Sequence, residues 1–544
     1  MSDGPRLLQA ATDTGMIKKP AQEEILGEAR RSRKDPIEVA TSKLRIPREV
    51  FYRALAVQKR LPFLGAADLI PDAELLARVP ARLLQRKDLL PLRNIAGQVL
   101  VATADPDDEQ GLEALRRVFD LPLTLAIAEP PAIQAAVRRF ARGPEGGALA
   151  PVAAAAAWDA VAFLDDLIRQ AWLRRASDIH LDAQEEGLRI RLRVDGRLQP
   201  WGPVLVHEEG NQLMSRVKVL GGVDIAEKRE PQDGGFGHKV DGAALDVRLA
   251  TIPTRFGERA TLRLLGVETR ELTIERLGFQ PDDLRRFQDA LDHPHGLILL
   301  TGPTGSGKTT TLYAALRAIS KPELNVLTVE DPIEFVIPGI TQIAVDRAGK
   351  VTFAGALRSL LRHDPDVLMV GEIRDEETAH VSLQAAMTGH LVLSSLHTNR
   401  AFSAPSRLVD LGCEPYLLSG ALRTVLAQRL VRALCHACRR PERVTAQELA
   451  PLVGPEAAKP HEGAKVHVPG GCPTCVGTGY RGRLAVVEAL WVDDPMSEAI
   501  GRGASGHELA EQCRARGYRT LGEDGLLKVL LGDTSVAEAL QARV

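Results

Sequence analysis

The sequence has no long apolar segment, and we expect no secretory leader. No apolar run approaches the roughly 20 residues that an α-helix needs to span a bilayer. The opening stretch, MSDGPRLLQAATDTG, lacks the charged-then-apolar pattern of a signal peptide. We therefore expect a cytoplasmic protein whose association with a membrane is peripheral and made through a partner.

The chain also lacks a large net charge of either sign. It has 69 basic and 71 acidic residues among 544, a formal net charge of −2. This balance gives no long-range field that would draw the protein onto nucleic acid or an anionic bilayer, so we expect no direct nucleic-acid partner. With 44% hydrophobic and 26% charged residues the composition is that of a globular protein, and the length predicts several domains.

Cysteine is scarce, and six cysteines are too few for a disulfide scaffold in so long a chain. Four of them form two Cys-x-x-Cys pairs separated by 33 residues: Cys435, Cys438, Cys472 and Cys475. Four thiolates are the closed ligand set that structural Zn²⁺ favours, so we predict a small tetracysteine zinc module. Redox pairs or buried free thiols are the alternatives. Cys413 and Cys513 stand alone and are interpreted as packing residues.

Composition and periodicity divide the chain into segments. The first residues are polar and without sustained periodicity, and a later stretch consists almost entirely of Ala, Gly and Pro. The predicted segments are a flexible lead (1–35), an amino-terminal α+β domain (36–140), a linker (141–157), an arginine-bearing α+β domain (158–268) and an α/β domain (279–544) with a zinc insertion at about 432–483.

Arginines alternate with apolar residues in three predicted strands of the arginine-bearing domain. The run LRIRLRVDG has the period of two of a half-buried strand and ends at the hairpin signal Asp195-Gly196. Two later segments carry Arg248 and Arg263 in the same alternation. The pattern predicts a sheet with one arginine-bearing face, for which a solvated surface is the ordinary interpretation.

Beyond residue 279, short apolar runs bounded by turn signals alternate with helical patterns. The runs are GLILLTG, NVLTVED, DVLMVGE and HLVLSSLHT. This rhythm predicts a multidomain α/β protein whose last domain has a mostly parallel sheet with crossover helices. Ligands of such sheets bind at the carboxyl ends of the strands.

The first of these strands leads into a complete phosphate-binding loop, G-x-x-x-x-G-K-[ST]. Its glycines let the backbone wrap phosphates, and the following helix N-terminus adds a favourable dipole. We expect Lys308 to reach the β- and γ-phosphates of ATP and Thr309 to bind Mg²⁺. The predicted nucleotide-binding residues are Gly302, Pro303, Thr304, Gly305, Ser306, Gly307, Lys308, Thr309 and Thr310.

Acidic residues end two further predicted strands. Glu330 and Asp331 end one strand, and Glu372 ends another. Hydrolysis needs groups that hold the metal ion and orient a water molecule, and a parallel sheet would deliver these acids to the phosphates. His397 follows a fourth strand, but a lone histidine is more often a packed or surface residue, and the same holds for His390.

Four ordered motifs make the sequence similar to the type II secretion and type IV pilus assembly ATPase family. GPTGSGKTTTLY resembles the Walker A motif of this family, TVEDPIEF its Asp box, LRHDPDVLMVGEIRD its Walker B motif and TGHLVLSSLHTN its His box. SDIHL and AEKREPQDG extend the resemblance into the arginine-bearing domain. The implied fold is a RecA-like P-loop ATPase core preceded by α+β domains.

The resemblance implies roles for individual residues. It assigns phosphate and Mg²⁺ binding to Lys308 and Thr309, preparation of the water to Glu330, support of the metal site to Glu372 and sensing of the γ-phosphate to His397. It makes four arginines the groups that neutralise charge around the nucleotide: Arg248, Arg263, Arg358 and Arg374. The sequence departs from the family pattern at Gly235, where a basic residue is frequent, and at Ser395, where Thr is usual.

The function that the resemblance implies is a homohexameric MgATP-hydrolysing motor that acts through an inner-membrane platform protein. VLVATADPDD and its surroundings resemble the amino-terminal domain of the family, which docks on a cytoplasmic or inner-membrane partner and in some relatives binds cyclic di-GMP. Residues 38–60 lack the Arg-Leu-Gly opening of the cyclic-dinucleotide binders, so we favour docking over nucleotide sensing.

Two other functional classes remain as alternatives. A regulatory protein that binds ATP without turnover is disfavoured because Lys308, Glu330 and Glu372 are all present. A nucleic-acid translocase is disfavoured by the near-zero net charge and the lack of an aromatic and basic stacking surface. The motor domain does not distinguish protein secretion from pilus assembly or DNA uptake, because all three use it.

Overall fold

The computed structural model describes residues 4–80, 83, 89–95, 97–142, 158–266, 272–346, 350–514 and 516–543. By its internal contacts the chain divides into two compact units. The first unit comprises Met1–Val267 with the short segment Cys472–Gly477, and the second comprises Glu268–Gly471 and Thr478–Val544. The predicted amino-terminal and arginine-bearing domains share the first unit, and the predicted boundaries within it stay a prediction.

The first unit begins with helices. They are Gly4–Asp13, Lys19–Ser32, Pro36–Leu44, Arg48–Lys59 and Ala73–Ala77, with a 3-10 turn at Ala66–Asp68. Leu7, Leu8 and Ile25 are buried in the apolar core of this part. The prediction of a flexible lead over residues 1–35 is therefore wrong for its described residues. Their apolar side chains are few, but they recur at helical spacing and pack on one face of each helix.

A three-stranded sheet follows the helices. Its strands are β1 (Leu89–Ile95), β2 (Gln98–Thr103) and β3 (Leu123–Ile127). β1 and β2 are antiparallel, whereas β2 and β3 are parallel and connected by the helix Glu109–Phe119. The helix Pro130–Arg142 ends this part, and the predicted linker after it lies outside the described residues.

The rest of the first unit is a six-stranded antiparallel sheet with the helices Ala160–Leu173 and His207–Gly221. Its strands, in the spatial order β6-β5-β4-β9-β8-β7, are β4 (Ala176–Gln184), β5 (Gly187–Val194), β6 (Arg197–Pro200), β7 (Gln232–Val240), β8 (Ala243–Thr254) and β9 (Gly257–Leu265). Asp195 and Gly196 turn from β5 to β6 with φ of 48° and 84°. Positive φ at both positions is what a type I′ hairpin turn requires.

The second unit contains a seven-stranded sheet in the order β12-β11-β13-β14-β10-β15-β18 and a two-stranded ribbon, β16 with β17. The strands are β10 (Gly296–Thr301), β11 (Val326–Glu330), β12 (Thr341–Ala344), β13 (Val367–Val370), β14 (Leu391–Leu396), β15 (Leu422–Leu434), β16 (Arg440–Arg443), β17 (Lys465–Val468) and β18 (Tyr480–Trp491). Within the larger sheet, neighbouring strands are parallel except β15 with β18. The predicted mostly parallel sheet is confirmed.

Helices cover both faces of this sheet, which is why β10 and β14 are buried along their whole length. The helices are Pro281–Leu291, Lys308–Ile319, Phe353–Leu360, Glu376–Met387, Ala404–Asp410, Pro415–Ala421, Ala446–Val453, Pro455–Ala458, Asp494–Gly501, Gly506–Arg514, Leu521–Leu530 and Val536–Gln541. Across the described ranges, no helix is both long enough and apolar enough to cross a membrane.

Candidate nucleotide and metal sites

Four neighbouring parallel strands of the second unit bring the predicted catalytic residues to one edge of the sheet. The phosphate-binding loop follows β10, Glu330 is the last residue of β11, Glu372 lies two residues beyond β13 and His397 directly follows β14. Because parallel strands present their carboxyl ends on the same side, these groups surround one region. The structure therefore brings together the candidate catalytic residues that the sequence analysis placed at the ends of separate strands.

Two glycines of the loop combine a positive φ with too little space for a Cβ unless a neighbouring group shifts. A Cβ on Gly302, whose φ is +142°, would lie 2.6 Å from the carbonyl oxygen of Gln428. A Cβ on Gly307, whose φ is +91°, would lie 2.7 Å from Nε2 of the same glutamine. The loop backbone thus approaches β15 closely, and this contact fixes the curvature that lets backbone amides face a phosphate.

The loop also has polar groups that fit a phosphate. The Ser306 hydroxyl is buried and has no hydrogen-bond partner among the described residues. A buried hydroxyl without a partner is costly, and a phosphate oxygen would accept its hydrogen bond. Lys308 Nζ donates to the carbonyl oxygens of Gly302 at 2.7 Å and Pro303 at 3.3 Å, so its ammonium group lies over the loop. These features fit a bound triphosphate.

Two cationic side chains, Lys308 and Arg429, lie beside the phosphate-binding loop. Burial lowers the pKa of Lys308; the Glu372 carboxylate opposes this shift, and the Arg429 guanidinium adds to it. Burial also lowers the pKa of Arg429, whose terminal nitrogens donate to the carbonyl oxygens of Gln428 at 3.0 Å and Asn399 at 3.1 Å. Two partly buried cations in one place favour an anionic ligand, because the ligand would offset their desolvation.

The remaining loop residues are accessible. Pro303, Thr304 and Gly305 are exposed at the tip of the loop. Thr309 and Thr310 lie in the first turn of the helix Lys308–Ile319, where the helix dipole is positive, and both are at least partly exposed. A hydroxyl at this position can bind a cation that accompanies the phosphates.

Glu330 is held by three uncharged donors. Its side chain is 3% exposed. Oε1 accepts hydrogen bonds from the Thr328 hydroxyl at 2.6 Å and from Gln342 Nε2 at 3.0 Å, and Oε2 accepts one from the Tyr313 hydroxyl. These bonds fix the orientation of the carboxylate.

Glu372 lies in a small ionic cluster. One carboxylate oxygen pairs with Arg374, and the other lies 3.2 Å from His397 Nε2. The side chain of Glu372 is largely buried, whereas those of Arg374 and His397 are exposed. Ser395, which replaces the usual Thr, keeps a hydroxyl that donates to the carbonyl oxygen of Gly371 at 2.8 Å and so fixes the turn before Glu372.

The four predicted arginines divide between the units. In the second unit Arg358 is exposed and pairs with Glu377 at 2.6 Å, and Arg374 pairs with Glu372. In the first unit Arg248 and Arg263 are directly opposite each other on β8 and β9. Gly235 on β7 is in turn opposite Arg248, so this departure from the family pattern lies beside a predicted arginine.

The four predicted zinc ligands form one cluster. The Sγ atoms of Cys435, Cys438, Cys472 and Cys475 all lie within 4.8 Å of one another. Those of Cys472 and Cys475 are 3.7 Å apart. The edge of a tetrahedron with Zn–S bonds of about 2.3 Å is about 3.8 Å, so this spacing fits a structural Zn²⁺ ion. Cys413 and Cys513 lie outside this cluster and are buried.

Several residues at the site were not predicted. Tyr313, Thr328 and Gln342 hold Glu330, and Gln428 and Arg429 contact the loop. Thr328 could have been found, since residues two apart on a strand share a face. Tyr313, Gln342, Gln428 and Arg429 could not have been found in this way. They lie on a helix and on strands β12 and β15, and no local sequence pattern specifies how these elements align with the site.

The loop and the sheet define a P-loop nucleotide-binding protein. Residues 157–541 match the family described as "Type II/IV secretion system protein", and residues 60–147 match the MshEN domain. The chain belongs to the type II/IV secretion system protein family.

Two relatives in this family are named for different systems, one for type IV pilus assembly and one for type II secretion. The chain is 39% identical over 510 residues to the type IV pilus assembly ATPase PilB of Thermus thermophilus, covering 90% of this chain but 57% of that protein. It is 45% identical over 383 residues to the type II secretion system ATPase E of Vibrio cholerae, covering 70% of this chain and 75% of that protein. The predicted family and enzyme class, an ATPase, are confirmed.

Solved structures agree with the fold. The ATPase DotB of Yersinia pseudotuberculosis superposes with a TM-score of 0.53 and 20% identity, covering 71% of this chain and 94% of that chain. DotB of Legionella pneumophila gives a TM-score of 0.52 and 22% identity, covering 70% and 94%. At these identities the likeness concerns the fold alone, and it confirms the predicted RecA-like core.

Proposed function

We propose that this chain is a MgATP-hydrolysing motor that powers type II protein secretion or type IV pilus assembly. The observation that carries the proposal is the meeting of the phosphate-binding loop, Glu330, Glu372 and His397 at the ends of four neighbouring parallel strands. Family membership and the names of the two ATPase relatives support it.

Glu330 orients the attacking water in this proposal. An ionised carboxylate has about four acceptor sites. Thr328, Gln342 and Tyr313 occupy three of them, which leaves one on Oε2 for a water molecule. A carboxylate fixed by its other bonds aligns that water at a low entropic cost.

Thr309 and Glu372 would hold Mg²⁺, which would neutralise the negative charge that develops on the phosphates during hydrolysis. Lys308 moves from the loop carbonyls onto the β- and γ-phosphates. His397, which shares Glu372 with Arg374, senses the γ-phosphate. The four arginines that neutralise the remaining charge are Arg248, Arg263, Arg358 and Arg374.

The tetracysteine cluster holds a structural Zn²⁺ ion. Four sulfur ligands fill a tetrahedral site and leave no open position for a substrate, so the ion stabilises the fold and takes no part in hydrolysis. Cys435, Cys438, Cys472 and Cys475 are its ligands.

The motor works as a homohexamer at the cytoplasmic side of the inner membrane and acts on a platform protein there. The match of residues 60–147 to the MshEN domain supports docking of the amino-terminal part on a cytoplasmic or membrane partner. Binding of cyclic di-GMP is the alternative to docking for that part of the chain. DNA uptake is the alternative to secretion and pilus assembly for the system that the motor serves.

Two variants separate nucleotide binding from hydrolysis. Lys308→Ala is expected to lose both, because the lysine contacts the phosphates in the ground state. Glu372→Ala is expected to keep nucleotide binding and lose about 100-fold or more in kcat. Lys459→Ala, which removes an exposed lysine paired with Glu456, is the control and leaves both unchanged.

Turnover by the wild type that does not exceed that of Lys308→Ala would favour the regulatory nucleotide-binding alternative. Stimulation of turnover by single- or double-stranded DNA would favour the translocase alternative. The proposal expects the ATPase rate to be the same with and without DNA.

A further inference from the structure

The central strand β4 carries a row of ionisable side chains on one face of the six-stranded sheet. Asp178, His180 and Asp182 alternate with Ile179 and Leu181, which are fully buried in the apolar core. The side chains of Asp178 and Asp182 are also nearly buried, at 8% and 11% exposure. Buried carboxylates are costly unless they are paired, so their partners define this face.

Asp178 holds two arginines, one from each neighbouring strand. Its Oδ1 lies 3.0 Å from Arg263 Nε on β9, and its Oδ2 lies 3.7 Å from Arg193 Nε on β5. The Ser177 hydroxyl donates to Oδ2 at 2.8 Å. The carboxylate therefore has a fixed orientation between the two strands.

Asp182 repeats the arrangement one step along the strand. Its carboxylate lies 2.7 Å from Arg191 Nε on β5 and 3.0 Å from Arg259 Nε on β9. Both aspartates thus pair with one arginine from each neighbouring strand and have similar burial. Asp178 accepts a hydrogen bond from Arg263 on β9, whereas Asp182 accepts one from Arg191 on β5. Asp182 is a natural control for Asp178.

The attachment point on Arg263 is informative. Asp178 pairs with the inner nitrogen, Nε, and the Arg263 side chain is 60% exposed. An arginine anchored through Nε keeps the N–H groups of its two terminal nitrogens for another acceptor. Anchoring also removes much of the rotamer freedom of a long side chain, so an approaching anion meets a guanidinium already in place.

We propose that Asp178 is a positioning residue for hydrolysis, because it holds Arg263 in the orientation in which the guanidinium neutralises phosphate charge. This inference rests on the proposed function, in which Arg263 acts at the nucleotide. Asp182 has no such role, since its arginines are not among those assigned to the nucleotide.

Chemical rescue of an arginine deletion tests the positioning role in the full chain. Arg263→Ala is expected to lower kcat about 100-fold with a smaller change in KM, as for loss of a group that acts in the transition state. Added guanidinium ion, at concentrations far below those that unfold proteins, restores part of kcat because Asp178 binds the free cation in the vacated place.

The double variants decide between positioning and a structural role. Arg263→Ala with Asp178→Asn is expected to lose guanidinium rescue, whereas Arg263→Ala with Asp182→Asn keeps it. Asp178→Asn alone lowers kcat about tenfold, and its effect is smaller in the Arg263→Ala background than in the wild type, since the two residues act as a unit. Asp178→Glu, which keeps the charge but displaces it, replaces the Asn variant if the latter unfolds, with the same loss of rescue expected.

The outcomes separate two kinds of failure. Wild-type turnover together with equal guanidinium rescue in the two double variants overturns the positioning role and leaves the motor proposal intact. Undiminished turnover in Arg263→Ala also overturns the positioning role, because Arg263 would then not act in hydrolysis. A wild-type chain that releases no phosphate overturns both proposals.

Discussion

The Tyr313 hydroxyl donates a hydrogen bond to the carboxylate of Glu330. Tyr313 lies on the helix that follows the phosphate-binding loop, and Glu330 ends β11. Burial and the hydrogen bond to Glu330 raise the pKa of Tyr313, so its hydroxyl stays protonated and remains a donor. The bond therefore connects the helix that follows the phosphate-binding loop to the acid that we propose prepares the water.

Tyr313→Phe removes this donor while keeping the ring, which packs edge-on against Phe335 with centroids 4.5 Å apart. Because Oε2 of a buried carboxylate loses its hydrogen bond, we expect unfolding to require about 1–3 kcal/mol less and kcat to fall. Chemical denaturation and steady-state ATPase assays measure the two effects. Tyr416→Phe, at an exposed tyrosine, is the control, and equal behaviour of the two variants would argue against the role of the bond.

Two glycines of the same loop provide a matched pair. Gly302→Ala places a Cβ 2.6 Å from a backbone oxygen, whereas a Cβ on Gly305 meets nothing within 4 Å although its φ is also positive. We expect Gly302→Ala to weaken ATP binding at least about tenfold more than Gly305→Ala, because a clash adds to the conformational strain. Nucleotide titrations of the two variants give the ratio. Similar affinities would show that the approach to β15 does not shape the loop.

The loop and the acidic strand ends could be predicted because their signals are local. A strand, a Gly-rich turn and a helix in succession specify the site of Lys308, and Glu330 needs only a strand that ends at it. Tyr313 and Gln342 could not be predicted, since their contact with Glu330 depends on how a helix and β12 align with β11. That alignment is set by packing of the whole sheet.

The amino-terminal helices show a different limit. The segment before residue 36 is rich in charged residues, and its apolar side chains, such as Leu7 and Ile25, are too sparse to stand out from a disordered composition. Their burial comes from partners distant in sequence, including Phe51 and Leu55 in the same core. A helix whose stability comes mainly from tertiary packing leaves a weak trace in its own sequence.

The cysteine cluster predicts one Zn²⁺ ion for each chain. We expect metal analysis of the purified protein to find this ratio and Cys475→Ser to lower it to near zero, with a lower unfolding temperature, because metal binding contributes to folding. Cys413→Ala, at a buried cysteine outside the cluster, should keep the zinc. Unchanged zinc in Cys475→Ser would exclude the cluster as the site.

Glu129 is a partly buried acid in the first unit. Burial, reinforced by the Glu49 carboxylate and opposed by the guanidinium groups of Arg174 and Arg48, raises the pKa of Glu129 from 4.5 to about 7. The folded-state value is above the unfolded one. The contribution of Glu129 to stability is therefore fully present below about pH 4.5 and is lost as the pH rises through about 7.

Glu129→Gln removes this titration. We expect the variant to gain stability over the wild type as the pH rises from about 5 to about 8, by up to about 3 kcal/mol. Unfolding midpoints across this range measure the difference, and Glu23→Gln, at an exposed acid, provides the control. A constant difference between Glu129→Gln and the wild type would mean that Glu129 does not titrate there.

Steady-state phosphate release from MgATP by the purified full chain, assembled and with its membrane partner present, is the most direct measurement of motor activity. The convergence of the loop, Glu330 and Glu372 predicts continuous release that saturates with MgATP and falls to background in Lys308→Ala. Phosphate release no greater than that of Lys308→Ala under these conditions would contradict the proposal that the chain is an ATP-hydrolysing motor.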